Sequence, residues 1–487
     1  MSMTPGVQRY VDLAQEELRA RRAALETMRR RRFDTISVHG LYTLQESIER
    51  NQGSIVEPVY LSTSQGYRDA DEMEAALAYM IPTWCYARIA NPSVYYLEWT
   101  LALLEGYGFA GETSCCATSS GMAAIMSSVE PFLVRIPGRE SEHVSFVSSC
   151  QVYGGTFEQF SVRQREKGNQ VRWVRHPERL DEWAALIDGS TRFLYGELPS
   201  NPNIAFFDIA AVAELAHSHG IPLIVDATVA TPALMRPLLH GADIVVHSVT
   251  KSMTASGFGI AGALISRKNI VTNVPNDAMR EDFATYVKFL PNRDNGPNLS
   301  PMQAVLTLND LRTLRTRMDQ LSRTSLQVAE FLAGHPMVER VDYLGLPDHP
   351  LHALASRYMT LVDAEHDAHY GRPIPRYGHL LSFRVKGGAE PTRRFFDGLQ
   401  HVFRATDLGR IKTVATIPAI STHQQQGEEG RTLADIPANQ VRLSIGGEHA
   451  DDIVADLDQA LKQATGNRRQ ATAPSVADSS DRSLVGA

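Results

Sequence analysis

The sequence predicts an α/β protein: a large domain built on a mainly parallel sheet covered by helices, and a smaller C-terminal α+β domain. Three observations carry this. Between about residues 93 and 310, short apolar runs alternate with helical patterns, as when crossover helices join parallel strands. The chain has 487 residues, 43% of them hydrophobic, more than one ordinary core organises. Beyond residue 310 strands and helices mix, closing with the helical "DDIVADLDQALKQA".

Residues 1–60 read as a helix, "VDLAQEELRARRAALETMRRRRF", followed by an irregular, polar arm. The basic run Arg29–Arg32 reads as a solvated or subunit-contacting face. The formal net charge of −7 argues against nucleic acid as a partner. The large domain is expected over 61–310, with strands "HVSFVSS" (143–149), "TRFLYGEL" (191–198), "IPLIVDAT" (221–228), "ADIVVHSV" (242–249) and "AGALISR" (261–267). Between them lie the helical "RLDEWAALID" and "DIAAVAELAHSHG", the latter closed by Gly220. The segment "SPMQAVLTLNDLRTLRTRMDQLSRTSLQVAEFLAGH" reads as one long helical region entering the second domain, 311–465. That domain takes "VERVDYL", "HLLSFRV", "HVFRAT" and "VRLSIG" as strands. Residues 466–487 are polar, small and Pro/Ser-rich, and are expected to be a disordered tail. Four cysteines without C-x-x-C spacing suggest neither zinc nor disulfides, and no metal is expected. No membrane-length apolar run and no apolar leader core are seen, so a cytoplasmic, reducing location is the expectation.

The chemistry is concentrated at two strand ends. "IPLIVDAT" delivers Asp226, and "ADIVVHSVTK" delivers Lys251 just past its end. Ligands of open α/β sheets collect at the carboxyl ends of strands. A lysine desolvated there has a lowered pKa and so favours the neutral amine that forms Schiff bases. A carboxylate there suits a protonated pyridine nitrogen, as in pyridoxal-phosphate sites. Ser248 and Thr250 would supply hydroxyls near a phosphate. In "ATSSGMAAIMSSVEPFL", Ser119-Ser120-Gly121 opens a helix whose free N–H groups and positive dipole end suit an anion. "QVYGGTF" places Tyr153 before two glycines, where its ring would lie on a planar cofactor. Each piece alone has a bland alternative, as a surface lysine, a helix cap or a turn former. Their order along one chain is harder to dismiss.

These residues make the chain resemble the Cys/Met-metabolism family of pyridoxal-phosphate (PLP) enzymes, which includes cystathionine gamma-synthase, cystathionine gamma-lyase, methionine gamma-lyase and O-acetylhomoserine sulfhydrylase. The likeness runs from about Tyr86 to Leu461. It implies fold type I, with a seven-stranded type of sheet, and PLP as cofactor. "YARIANPSVYYLEWTLALLEG" is similar to the family segment in which Tyr86 and Arg88 would reach the cofactor phosphate of a neighbouring subunit. "SSGMAAI" would supply Gly121 and Met122 to that phosphate, and "VYGGT" the stacking Tyr153, which would also assist proton transfers. "GELPSNPNIAFFDI" is similar to the Glu-Thr-Pro-x-Asn-Pro stretch, placing Asn201 near the cofactor's phenolic oxygen. "VDATVATPALMRPLLHGADIVVHSVTKS" resembles the cofactor-lysine block, with Asp226, Ser248, Thr250 and Lys251 as the Schiff-base lysine. In "NQVRLSIGGEHADDIVADLDQAL", Arg442 would grip a substrate α-carboxylate. The likeness further implies a homo-oligomer, a dimer of dimers, with shared active sites and with the N-terminal arm packing on neighbours.

Departures gather on the substrate side. Ala227 follows Asp226 where the family has Asn, and "SMTAS" follows Lys251 where it has aromatic-x-Gly-Gly-His. In "ATDLGRIKTVATIPAISTH", Asp407, Arg410, Lys412 and Thr413 replace the family's Ser, Gly, Glu and Ser, while Pro418, Thr422 and His423 are kept. Residues 362–378 read as an insertion. The reading is γ-replacement or γ-elimination on a γ-substituted L-amino acid such as a homoserine ester, through quinonoid and vinylglycine-type intermediates, possessing a second, nucleophilic substrate if replacement operates. A β-lyase acting on a cysteine-type substrate and an idle PLP-binding scaffold are the alternatives. Lys412 and Thr413 are expected at the substrate, Lys412 favouring a distal anion.

Overall fold

In a computed structural model describing residues 3–82, 84–136 and 143–465, seven strands form one sheet. They are β1 (Thr113–Thr118), β2 (Val144–Ser149), β3 (Asn169–Val174), β4 (Thr191–Glu197), β5 (Leu223–Asp226), β6 (Ile244–His247) and β7 (Gly262–Arg267), in spatial order β1-β7-β6-β5-β4-β2-β3. Strands β2 to β6 pair in parallel, and β7 runs antiparallel to both β1 and β6. The α/β class expected from the sequence is the one observed. The expected tail, 466–487, lies outside the described residues.

Successive strand side chains point to opposite faces, and the central strands are apolar at both parities. Phe146, Phe193, Ile224, Val246 and Leu264 build one core; Val147, Leu194, Val225, Val245 and Ile265 belong to another. Burial on both faces is why these strands read as unbroken apolar runs. The two strands that went unread, β1 ("TSCCAT") and β3 ("NQVRWV"), are the sheet's edges. An edge tolerates small and polar residues, so no apolar run marks it.

The second sheet orders β8 (Val338–Asp342), β9 (Leu380–Val385), β10 (Phe403–Arg404), β11 (Val414–Thr416) and β12 (Gln440–Ser444) as β10-β11-β12-β9-β8. The helix Ala450–Ala464 packs against the helix Ala389–Gly398 and closes this unit. Strand β11 is three residues long, too short to leave a pattern.

Two further expectations are corrected. The stretch after the first helix (Pro5–Arg29) is not irregular: it forms helices Phe33–His39 and Leu44–Arg50. Phe33 and Ile36, three residues apart on one helical face, are fully buried in the main core of their own chain, with Phe33 edge-on to Tyr107 at 5.7 Å. The long helical region is two helices, Pro301–Leu311 and Leu314–Gly334. At the break the Thr313 hydroxyl donates to the Asp310 carbonyl at 3.3 Å, a local bond that competes with the helical ladder. The segment read as an insertion packs as a clamp: Asp363 accepts from the Phe33 N–H at 2.9 Å and the Tyr107 hydroxyl at 2.6 Å, while Arg315 donates to the Val362 carbonyl and to Asp367. No described helix is long and apolar enough to cross a membrane.

His379 is fully buried where the domains meet. Its Nε2 lies 2.8 Å from the Ser252 hydroxyl and its Nδ1 3.1 Å from that of Ser444. Burial, with the charges of Arg442 and Arg317, holds its pKa down to about 3; burial likewise holds His349 down to about 4. The unfolded chain protonates these rings below their ordinary value of 6.5 while the folded chain does not. Stability is therefore full above 6.5 and is lost as pH falls toward the folded values. The melting temperature is expected to decline between pH 6.5 and 4.5, above the main carboxylate range. His379→Gln, which keeps hydrogen-bonding capacity without titrating, is expected to make that decline shallower. Calorimetry across the window checks it.

Candidate active site

The carboxyl ends of β4, β5 and β6 open into one cavity of about 510 Å³, closed on its far side by residues 406–408 and by Arg442 of β12. In-register pairing sets Glu197 of β4 beside Asp226 of β5. Lys251 follows β6 by four residues, on a turn anchored to the start of β7. The Thr250 N–H and hydroxyl both donate to the Ala261 carbonyl, and the Thr250 hydroxyl accepts from the Ala261 N–H at 3.0 Å. The lysine thus leaves a buried strand on a fixed path into the cavity.

Lys251 Nζ donates to Asp407 Oδ1 at 2.6 Å. Burial lowers the pKa of Lys251; Asp407 opposes this, and Arg410 and Arg442 add to it. Asp226 is buried, and its Oδ1 accepts from the Thr228 N–H at 2.9 Å. Glu197 is buried as well, accepting from the backbone N–H groups of Tyr153 and Asn201, each at 2.7 Å. Burial raises both carboxyls, and the charge of Asp226 adds to the rise at Glu197. Asn201 passes the organisation on, its Oδ1 accepting from Arg442 at 3.0 Å. Arg442 is 1% exposed, and burial lowers its pKa to about 10. Its second terminal nitrogen donates to the carbonyls of Thr406 and Asp407, while its Nε has no partner among the described residues.

At the other end of the cavity the helix Gly121–Val129 begins, capped by the Ser120 hydroxyl, which accepts from the Ala123 N–H at 3.1 Å. The first-turn N–H groups of a helix have no intrahelical partners, and Gly121 and Met122 line the cavity. Glycine is required here by close approach: a Cβ on Gly121 would lie 2.5 Å from the Cβ of Ser248. Ser248 is fixed in turn, its N–H donating to the Thr228 hydroxyl at 2.7 Å. Tyr153 and Thr422 complete the lining.

Lys251, Tyr153, Gly121, Met122, Asn201, Asp226, Ser248, Thr250 and Arg442 therefore meet in one cavity. Four expected residues do not. Tyr86 is 45% exposed, with the Arg88 guanidinium 5.5 Å from its ring centre, and both stand outside this cavity of their own chain. Thr413 is buried away from it, its hydroxyl donating to Glu448 and accepting from the Gly446 N–H. Lys412 is exposed, its ammonium 4.7 Å from the ring centre of Phe403. Arg410 is occupied by Asp407 and by the carbonyls of Thr250 and Thr254. The expectation of substrate contacts from Lys412 and Thr413 is not met in this chain's own cavity, since neither side chain lines this wall, and the argument from Lys412 to a distal anion loses its basis. Glu197 and Asp407 were not singled out as site residues. An acidic residue ending a buried strand was a readable signal for Glu197. Asp407 meets Lys251 only through the fold.

The cavity fits PLP on its own features: a glycine-lined helix start, a buried carboxylate and a partly desolvated lysine. The comparisons agree. The chain is 34% identical to the L-methionine gamma-lyase of Porphyromonas gingivalis over 440 residues, covering 90% of this chain and 98% of that protein. It is 36% identical to the O-succinylhomoserine sulfhydrylase of Pseudomonas aeruginosa over 429 residues, covering 88% and 95%. A solved putative O-acetylhomoserine (thiol)-lyase of Campylobacter jejuni, which carries N'-pyridoxyl-lysine-5'-monophosphate, superposes with a TM-score of 0.76 at 31% identity, covering 89% of this chain and 100% of that one. The family model for Cys/Met metabolism PLP-dependent enzymes matches residues 34–462, and the chain belongs to that family of PLP-dependent enzymes.

Proposed function

We propose that the protein catalyses γ-replacement or γ-elimination on a γ-substituted L-amino acid such as a homoserine ester, with Lys251 as the cofactor-bearing lysine. The observation that carries this is the convergence of Lys251, buried Asp226 and buried Arg442 on one cavity. The relatives named above as a gamma-lyase and a sulfhydrylase support the reaction class. Bound PLP supplies an electron sink conjugated to the substrate's amino group.

The chain's own residues would do the rest. Arg442, held by Asn201 and the 406–407 carbonyls, presents a guanidinium to the α-carboxylate, with Nε still free to donate. Lys251, with a lowered pKa, moves protons between the α-carbon and the neighbouring positions of the substrate. Asp226, buried at its strand end, is ionised most readily opposite a cationic ring nitrogen. Gly121 and Met122 offer N–H groups to a phosphate, and Tyr153 offers a ring face. Residues 406–408 line the cavity opposite the sheet, and we assign them a part in choosing the leaving group and nucleophile. We further propose that Tyr86 and Arg88 complete the site of a neighbouring subunit in a dimer of dimers, since both are partly open and outside their own chain's cavity.

Borohydride reduction followed by peptide mapping is expected to place the cofactor adduct on Lys251. Lys251→Ala should lose the adduct and lower turnover by roughly 10²- to 10⁴-fold. An adduct elsewhere overturns the assignment. Keto-acid release and thiol incorporation are to be followed with O-acyl homoserines, methionine and cysteine; turnover of cysteine alone would make the enzyme a β-lyase.

Gly121→Ala, whose Cβ would press on Ser248 and displace the helix start, is expected to weaken PLP retention about tenfold or more, as if the displaced N–H groups lost one charge-assisted hydrogen bond, read by dialysis and absorbance. Lys412→Glu, exposed and outside the cavity lining, is expected to leave kcat/KM unchanged for anionic and cationic substrates alike. Mixing inactive Lys251→Ala chains with inactive Arg88→Ala chains is expected to restore part of the activity if sites are shared, with sedimentation reporting the assembly; an active monomer refutes the sharing.

A further inference from the structure

Asp407 stands in the wall of the same cavity, and the roles proposed above leave its carboxylate unused. Its side chain is nevertheless built in from several directions. Oδ1 accepts from Lys251 Nζ at 2.6 Å and from the Leu408 N–H at 2.9 Å, and Oδ2 accepts from Arg410 Nε. Its loop is pinned to both domains. Arg442 of β12 holds the carbonyls of residues 406 and 407, the Gly409 N–H donates to the Ser444 hydroxyl at 2.8 Å, and Arg410 reaches across to the carbonyls of Thr250 and Thr254. Gly409 permits this route: with φ +72°, its missing Cβ would otherwise lie 2.5 Å from the Ser252 nitrogen.

We propose that Asp407 is a positioning residue for Lys251, its ionised carboxylate holding the lysine nitrogen against the 406–410 wall and stabilising the positive charge that nitrogen carries during the reaction. The inference rests on Lys251 being the cofactor-bearing lysine. The charges facing Lys251 are Asp407 and Arg410 from the loop and Arg442 from β12; Asp226, Glu197 and Tyr153 line the same cavity. Burial and the two arginines disfavour a cation at Nζ, and among these groups only Asp407, in direct contact, offsets them. Although burial acts to raise the Asp407 carboxyl, Lys251 and Arg410 outweigh it, so Asp407 stays ionised. When Lys251 takes the substrate's α-proton, the C–H bond breaks, its electron pair stays on the substrate–cofactor side and an N–H bond forms at Nζ. The resulting ammonium is paired with Asp407, which itself gains and loses no proton. A hydroxyl at position 407 would offer the hydrogen bond without the charge.

The test reads the holoenzyme's absorbance against pH, which reports protonation of the nitrogen that joins lysine to cofactor and does not depend on turnover. A carboxylate favours the protonated form, so Asp407→Asn is expected to lower this pKa by about one unit or more, a tenfold or greater change in the protonation equilibrium. Asp407→Ser should lower it similarly, and Asp407→Glu should restore most of the wild-type value. Should one of these variants fail to fold, the others decide the matter. Superimposable titrations for wild type and the neutral variants would overturn the proposal, as would a wild-type pKa in Asp407→Ser with a shift only in Asp407→Asn, because hydrogen bonding would then suffice. Peptide mapping of the reduced adduct keeps the outcomes apart: an adduct away from Lys251 removes the premise and the proposed function together, whereas an adduct on Lys251 with unmoved titrations removes this inference alone.

Discussion

An ammonium taken out of water is costly unless an opposite charge meets it at hydrogen-bonding distance. Lys251 meets that condition through Asp407, and the condition shapes much of the surrounding structure. The lysine must arrive on a rigid path, which the two-way bonding of Thr250 with Ala261 supplies. The counter-charge must come from the other domain, so the loop that carries it must be held just as firmly. Arg442 and Arg410 do this, and their own charges then have to be balanced in the same cavity. The two domains are joined here through polar contacts: Asn201 to Arg442, Lys251 to Asp407, Ser252 through His379 to Ser444.

The cavity divides the labour between two kinds of support. Its floor is the parallel sheet, whose strand ends set Glu197, Asp226 and the Lys251 turn in register. This part is stiff because every strand beneath it is buried on both faces. Its far wall is a loop of the smaller domain, with one buried arginine behind it. The proposed cofactor contacts belong to the floor, whereas residues 406–408 and Arg442 of the smaller domain face them across the cavity.

What could be read from the sequence follows the same division. Asp226 and Lys251 were legible because unbroken apolar runs announce strands buried on both faces, and a polar residue at the end of such a run stands out. Edge strands β1 and β3 carry small and polar residues and gave no such signal. The helices over 33–50 were hidden because their two buried apolar residues, Phe33 and Ile36, are too few to mark a periodicity within a polar stretch. Lys412 and Thr413 were expected at the substrate from their places in a motif, but one turns outward over Phe403 and the other is committed to Glu448. Asp407 shows the limit most plainly. It lies 156 residues from Lys251 along the chain, and no local pattern encodes that meeting.

The loop at 406–410 is held largely through its main chain: the carbonyls of 406 and 407 bind Arg442, and the nitrogen of 409 binds Ser444. Such anchors are indifferent to side-chain identity at most of these positions. The route of the segment is therefore uncoupled from its composition at 406 and 408, with Asp407, Gly409 and Arg410 as the exceptions. Side chains at 406 and 408, which line the cavity, can therefore be exchanged while the backbone keeps its course and the floor stays as it is.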